Sequence, residues 1–274
     1  MSKAFGIGYN PVEVAKTVEK IVATEIDGEV ARKYFGFAST KFYGGSATGY
    51  VTGCNLSCAY CWSWKANKTF IGSFYKPSVV AQKLTQIALS KKHVYIRLSG
   101  GEPTLVINHL LQVLDYVKAF GRSREMLFIL ETNGIMIGYD KLIAKKLSEY
   151  SFVIARVSVK GCSEEEFYMI TGAEKSFFNL QLQAVKNLVD NGVKTIVVVM
   201  LSFCSKESFS QLIEKLTAID TAMASNIELE YVKLYPSVLK RLCKKDLKPW
   251  IAIDPIKKEV VKLDEFNKLC RNRA

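Results

Sequence analysis

The residues best equipped for chemistry crowd one short stretch, Gly53–Trp64, which reads GCNLSCAYCWSW. Its cysteines, Cys54, Cys58 and Cys61, have a C-x3-C-x2-C spacing. Deprotonated thiols held this close together are metal ligands. A structural zinc site closes with four ligands, usually two C-x-x-C pairs. Here there is one trio, and the two histidines, His93 and His109, stand at no finger spacing. Zinc would need a distant fourth ligand such as Cys162 or Cys204. A four-iron cluster also takes four ligands. Three cysteines leave one iron open, by the logic that leaves a catalytic zinc one vacant position. An open iron can coordinate a small molecule, so the missing fourth cysteine is the expected functional feature.

Such a trio has to be held by the surrounding elements. Apolar, β-branched runs at 47–51, 94–99, 126–132, 152–159, 195–203 and 227–234 alternate with amphipathic stretches at 79–91, 109–121, 139–150, 178–192 and 208–220. Several of these stretches end in Gly or Asn, which suits a helix C-cap. Strand–helix alternation argues for right-handed βαβ units around a parallel sheet. Six units are too few for an eight-stranded barrel. The expectation is an α/β fold, either a partial (β/α)6 TIM-like barrel or an open sheet. In both, function gathers at the C-terminal strand ends. The cysteine stretch follows the first strand, SGGEPT the second, ETNG the third and VKG the fourth. Four polar or glycine-bearing loops therefore converge on one edge. Residues 1–45, with a helix over 11–26 and a loop at Gly44–Gly45, read as an N-terminal extension. Residues 46–235 read as the barrel, and 236–274, basic and carrying Pro236, Pro249 and Pro255, as a C-terminal extension.

At this point the motifs resemble the radical S-adenosylmethionine (radical SAM) superfamily. The resemblance rests on the cysteine spacing with aromatic Tyr60 before the last cysteine, on Ser99–Thr104 and on Glu131–Gly134, in that order at successive strand ends. It implies a [4Fe–4S] cluster on Cys54, Cys58 and Cys61 that binds S-adenosylmethionine at its open iron. It further implies one-electron cleavage of the sulfonium to methionine and a 5′-deoxyadenosyl radical, which abstracts hydrogen from substrate. The electron would come from a donor of flavodoxin or ferredoxin type. Tyr60 would shield the cluster, or simply pack the loop. Gly100 and Gly101 would let backbone approach a ligand. Glu102 would accept from the methionine ammonium, or serve as an exposed acid at a helix N-terminus. Thr132 and Asn133 would meet the ribose, although TNG alone is a turn signal. Glycyl-radical activating enzymes often carry Asp-x-Lys at the fourth strand end, followed by an LTG-like stretch. Here the sequence is SVKG…ITG. Lys160 fits a methionine-carboxylate contact, and Ser158 stands where the acid would be. Arg156, on the same strand face, reads as an ion pair or a cofactor contact. Trp62 and Trp64 would cover the cluster, stack on substrate or pack. Met200, Ser202, Lys233 and Tyr235 are pocket candidates by position.

The wider composition bounds the rest. The chain has 274 residues, 49% of them apolar, which is ample for one large core. There is no apolar run long enough for a membrane span and no signal-type N-terminus, so a cytoplasmic protein is expected. In that compartment thiols stay reduced, and Cys162, Cys204, Cys243 and Cys270 read as isolated, small buried hydrophobes. The net charge of +12 comes from lysines spread along the chain, including Lys244–Lys245. Solubilising lysine explains it, and attraction to RNA, an acidic protein or an anionic cofactor is the alternative. The substrate is left open between a protein partner, RNA and a small molecule. A zinc-stabilised binding module is the non-enzymatic alternative.

Overall fold

The computed structural model describes residues 8–120 and 126–271, with backbone alone at Ala224 and Ser225. In chain order its strands are β1 (Ala23–Ile26), β2 (Glu29–Thr40), β3 (Ser46–Val51), β4 (Ser73–Tyr75), β5 (Tyr95–Gly100), β6 (Leu127–Thr132), β7 (Val153–Val159), β8 (Lys194–Met200), β9 (Ile227–Glu230), β10 (Val232–Lys233), β11 (Ile251–Ile253) and β12 (Val260–Lys262). Its α-helices are α1 (Pro11–Val22), α2 (Trp64–Thr69), α3 (Pro77–Ser90), α4 (Ile107–Phe120), α5 (Ile135–Tyr139), α6 (Lys141–Leu147), α7 (Glu164–Thr171), α8 (Phe178–Asp190), α9 (Lys206–Ile219), α10 (Thr221–Ser225), α11 (Pro236–Lys244) and α12 (Leu263–Arg271).

The six expected strands are present as β3, β5, β6, β7, β8 and β9, hydrogen-bonded in that order and all parallel. This is the α/β partial barrel. β7 is buried at every position, as a strand covered on both faces must be. Helices α3, α4 and α8 lay apolar stripes such as Val80, Leu84 and Ala88 against the sheet. Gly121, read as the end of a helix, lies outside the described residues.

The expected helix over 11–26 stops at Val22. Its start follows helix chemistry: the Asn10 side chain accepts from the Val12 and Glu13 amides, and Pro11 sits in the first turn. Beyond Val22 the chain turns into a hairpin that the helical reading missed. Asp27 and Gly28 both take positive φ, 49° and 76°, the pairing that a two-residue Asp-Gly hairpin turn requires. β2 then pairs antiparallel with β1, β3 and β4 and extends the sheet past the barrel's first parallel strand.

The run at 227–234 also divides. β9 closes the barrel side, whereas β10 leaves to form a small sheet with β11 and β12. The run at 195–203 ends its strand at Met200 and continues as a 3-10 turn, Leu201–Phe203. Two disulfides correct the reading of four isolated thiols. Cys162 is bonded to Cys204, and Cys243 to Cys270. Separations of 42 and 27 residues carry no spacing signature in the sequence.

Candidate active site

The C-terminal strand ends surround one cavity of about 630 Å3. Cys54, Cys58 and Cys61 all line it, together with Tyr60, Gly100, Gly101, Glu102, Thr132, Asn133, Ser158 and Lys160. Two of the three sulfurs sit among neutral donors. Cys54 Sγ accepts from the Leu56 amide at 3.4 Å and Asn133 Nδ2 at 3.8 Å. Cys61 Sγ accepts from Asn67 Nδ2 at 3.7 Å and lies 3.3 Å from Ser63 Oγ. Burial pushes the Cys54 thiol up, and the neighbouring Cys58 pushes it further. Burial likewise pushes Cys58 up to about 11, against a partial offset from Lys160. As bare thiols Cys54 and Cys58 keep their protons, and a cationic metal centre is what would displace them.

Glycine is required in the SGGEPT loop by its packing against neighbouring protein. A Cβ on Gly101 would sit 2.1 Å from the Gly53 carbonyl oxygen, and one on Gly100 would meet the Phe35 ring at 2.8 Å. The amides of Gly101 and Glu102 donate to the carbonyls of Val51 and Gly53 at 2.7 and 2.8 Å. The two glycines therefore allow this loop to press against the cysteine loop.

Glu102 is buried rather than exposed, 2% accessible. Its Oε1 accepts from the Thr104 amide, Thr104 Oγ1 and Thr132 Oγ1 at 3.0, 2.7 and 2.8 Å, and its Oε2 from the Asn133 amide at 2.6 Å. The carboxylate thus ties the β5 and β6 loops together. Oε2, with one donor, keeps a lone pair for a ligand ammonium. Asn133 is held by Asn55 and by the Ile135 amide, and Gln181 donates to its carbonyl. Lys160 Nζ donates to Ser158 Oγ and lies 5.8 Å from the centre of the Tyr60 ring. Tyr60 stacks on Phe203 at 6.0 Å. Its hydroxyl and Asn55 Nδ2 are buried without a hydrogen-bond partner among the described residues. Orphaned polar atoms beside three convergent thiols mark room for a ligand. This donor set fits an iron–sulfur cluster with a polar cofactor beside it.

Several residues missed in the sequence complete the site. Arg32, on β2, is 1% exposed and donates to the carbonyls of Glu102 at 2.7 Å and Pro103 at 2.5 Å. Its other contact is the Thr52 carbonyl at 3.5 Å, and no carboxylate forms an ion pair with it among the described residues. Arg241, on α11, donates to the carbonyls of Ala59 and Cys61. One pleat below the cofactor layer, Glu131 accepts from Arg97 and Arg156 at 2.9 Å each and from Tyr43 at 2.7 Å. Burial pushes its carboxyl up, but the two guanidiniums outweigh this and hold it below the usual carboxylate range. Arg156 also pairs with Glu228 and Glu230, which decides for the ion-pair reading. A pairing of charges across strands this far apart in sequence leaves no local motif.

The positional guesses divide. Met200, Lys233 and Tyr235 line the cavity, as does Trp62 at its rim. Ser202 is buried outside it, with its hydroxyl accepting from the Val232 amide. Trp64 lies between Lys68 and Arg241, 5.1 and 4.9 Å from its ring centre. His93 bonds Ser39, and His109 is a buried structural imidazole between Tyr34 and the Val30 carbonyl. Cys162 and Cys204 are bonded to each other and supply no fourth zinc ligand. Glu166 beside them is already satisfied by the amides of Cys162 and Ser205 and by Ser208 Oγ.

The family model of the radical SAM superfamily matches residues 50–216. The chain belongs to that superfamily. Radical SAM enzymes use a [4Fe–4S] cluster and S-adenosylmethionine. Over 189 residues the chain is 29% identical to the GTP 3′,8-cyclases of two Clostridium perfringens strains, SM101 and 13. The alignment covers 67% of this chain and 53% of theirs, so the chain spans about half the length of these curated relatives. Among solved structures, a spore photoproduct lyase variant with a dinucleoside spore photoproduct matches at TM-score 0.57 and 14% identity, over 86% of this chain and 74% of that one. Streptococcus suis SuiB bound to S-adenosylmethionine matches at TM-score 0.50 and 16% identity, over 72% of this chain and 45% of that one. These structural likenesses concern the fold. No described helix is long and apolar enough to cross a membrane.

Proposed function

We propose that this radical SAM chain cleaves S-adenosylmethionine reductively at a [4Fe–4S] cluster held by Cys54, Cys58 and Cys61, and that hydrogen is then taken from a substrate seated in the same cavity. The observation that carries this reading is the convergence of three thiols and the Gly100–Glu102 and Thr132–Asn133 loops on one 630 Å3 space. When bound, the cluster and its cofactor supply one electron and a carbon radical. The chain's own residues bind, orient and shield. Asn67 and Asn133 donate to thiolate sulfur, which favours the charged form. Glu102 Oε2 would accept from the ammonium of the cofactor, and Lys160 Nζ would hold its carboxylate. Tyr60 and Phe203 keep water from the cluster side.

The finer readings of the substrate differ in support. The GTP 3′,8-cyclase relatives favour a nucleotide. Activation of a glycyl-radical partner protein draws on Lys160 and on the Ile170–Gly172 stretch. Ile170 does reach the cysteine loop, where its carbonyl accepts from the Ala59 amide at 2.9 Å.

Anaerobic reconstitution tests the reading. Iron and sulfide should bind in equal amounts, and dithionite should release methionine and 5′-deoxyadenosine. One zinc per chain without iron or sulfide would instead establish the binding module. Deuterium transfer into 5′-deoxyadenosine from labelled GTP, from an RNA oligonucleotide or from a glycyl-loop peptide then identifies the substrate class.

A further inference from the structure

The outside of the cysteine loop is covered by two short basic segments that are far apart in sequence. Neither 53–76 nor 231–245 contains an Asp or Glu. α2 contributes Lys65 and Lys68, one helical turn apart, and α11 with its C-cap contributes Lys240, Arg241, Lys244 and Lys245. The five lysines are exposed. Trp64 joins the two segments through the Lys68 and Arg241 contacts on its ring. From this surface Lys68 Nζ reaches Ser57 Oγ at 2.6 Å, and Arg241 reaches the Ala59 and Cys61 carbonyls. None of these six cations lines the cavity. Lys68 and Arg241 meet the cysteine loop from outside the cavity.

We infer that this face docks a small acidic one-electron carrier protein, which reduces the cluster through the cysteine loop. The inference rests on the cluster reading above. The step moves one electron from the carrier's reduced flavin or iron–sulfur centre to the cluster, with no proton or group transferred. Two basic segments whose Lys68 and Arg241 touch the loop speed encounter with an acidic partner. They also seat that partner where the path to the thiolates is short. An RNA substrate would instead have to engage the cavity mouth, at Trp62 and Tyr235.

The test is the triple variant Lys65→Glu, Lys240→Glu, Lys244→Glu, whose side chains make no contact with the cysteine loop. Two measurements are made. One is 5′-deoxyadenosine formation driven by reduced flavodoxin or by dithionite. The other is binding of oxidised flavodoxin by flavin fluorescence anisotropy, which does not depend on catalysis. The expected result is a loss of about tenfold or more in the flavodoxin-driven rate at low salt. Its salt dependence should flatten and flavodoxin affinity fall in parallel, with the dithionite-driven rate unchanged. Lys→Arg at the same three positions should restore flavodoxin-driven turnover. An unchanged flavodoxin rate and affinity overturns the inference, and so does an equal loss with both reductants. Intact flavodoxin turnover with a loss of tRNA retention on a filter, read as a control beside the two measurements, assigns the face to RNA and overturns it too. Wild-type protein that cleaves nothing with dithionite refutes the radical reading itself, while the anisotropy result still tests the surface.

Discussion

The cofactor layer and the layer one pleat below it use opposite electrostatic designs. Around the cysteines the anchoring contacts are neutral. Glu102 is held by two hydroxyls and two amides, and the thiols receive amide donors. Below, Arg97 and Arg156 pair with Glu131, Glu228 and Glu230, two cations against three carboxylates. Tyr43 closes that layer from the strand-start side, with its hydroxyl on Glu131. The difference shows how one barrel can hold a charged cofactor. Charges are paired with one another in the lower layer, and hydrogen-bonding capacity is left free beside the cysteines. Arg241 and Lys160 are cationic exceptions on that side, and the most deeply buried exception is Arg32. It is a buried cation on the cofactor side whose partners are backbone carbonyls, and it stabilises the loop bearing Glu102.

The largest way to break the contrast is Cys58→Ala. Cofactor cleavage should fall below detection while circular dichroism and melting stay near those of the unloaded wild type. Cleavage at an unchanged rate would refute the ligand assignment.

In the charged layer, Glu131→Leu removes the shared carboxylate of two buried guanidiniums. A loss of about 3–5 kcal/mol in unfolding free energy is expected from breaking a buried pair, read by urea titration. A loss under about 1 kcal/mol would show that this layer is solvated. Arg32→Met leaves the Glu102 and Pro103 carbonyls without their donor. It should cost about 2–6 kcal/mol, from roughly 1–3 kcal/mol per buried unsatisfied group, and weaken S-adenosylmethionine binding measured calorimetrically. An unchanged affinity would show that the loop holds without the clamp.

The smallest expected effect lies in pH dependence. Burial holds His109 down to about 3, against a partial offset from its bond to the Val30 carbonyl. Its unfolded value is about 6.5. The unfolded state therefore binds the extra proton first, and stability is lost as pH falls from about 6.5 towards 3. Glu131, also depressed, contributes stability that fades only below its unfolded value of about 4.3. Between pH 6.5 and 4.5, His109→Gln should flatten the stability slope, and the Glu131 variant should leave it intact. A wild-type curve level across that window would contradict the buried neutral imidazole.

The six parallel strands and the cavity that receives the cysteine trio follow from features visible locally. These are β-branched runs, amphipathic stretches and loops at strand ends. The β1–β2 hairpin also had its signal, the Asp27–Gly28 pair, but the helical periodicity of the preceding residues extended over it. Arg32, Arg241, the charge pairing of Glu131 and the two disulfides had none. Their partners lie 20 to 182 residues away, and residue type alone does not reveal a partner across such a distance. Lys244 and Lys245 looked like scattered solubilising charge, and folding sets them over the cysteine loop.

By itself, then, the sequence determined the chemistry on offer and the order of the barrel strands, because ligand spacing and hydrophobic period are properties of neighbouring residues. Tertiary structure alone decided which charges cancel, which thiols pair and which basic segments cover the cysteine loop. Those outcomes depend on distances between elements, which exist only once the sheet has closed into its barrel and the C-terminal segment has folded back across it.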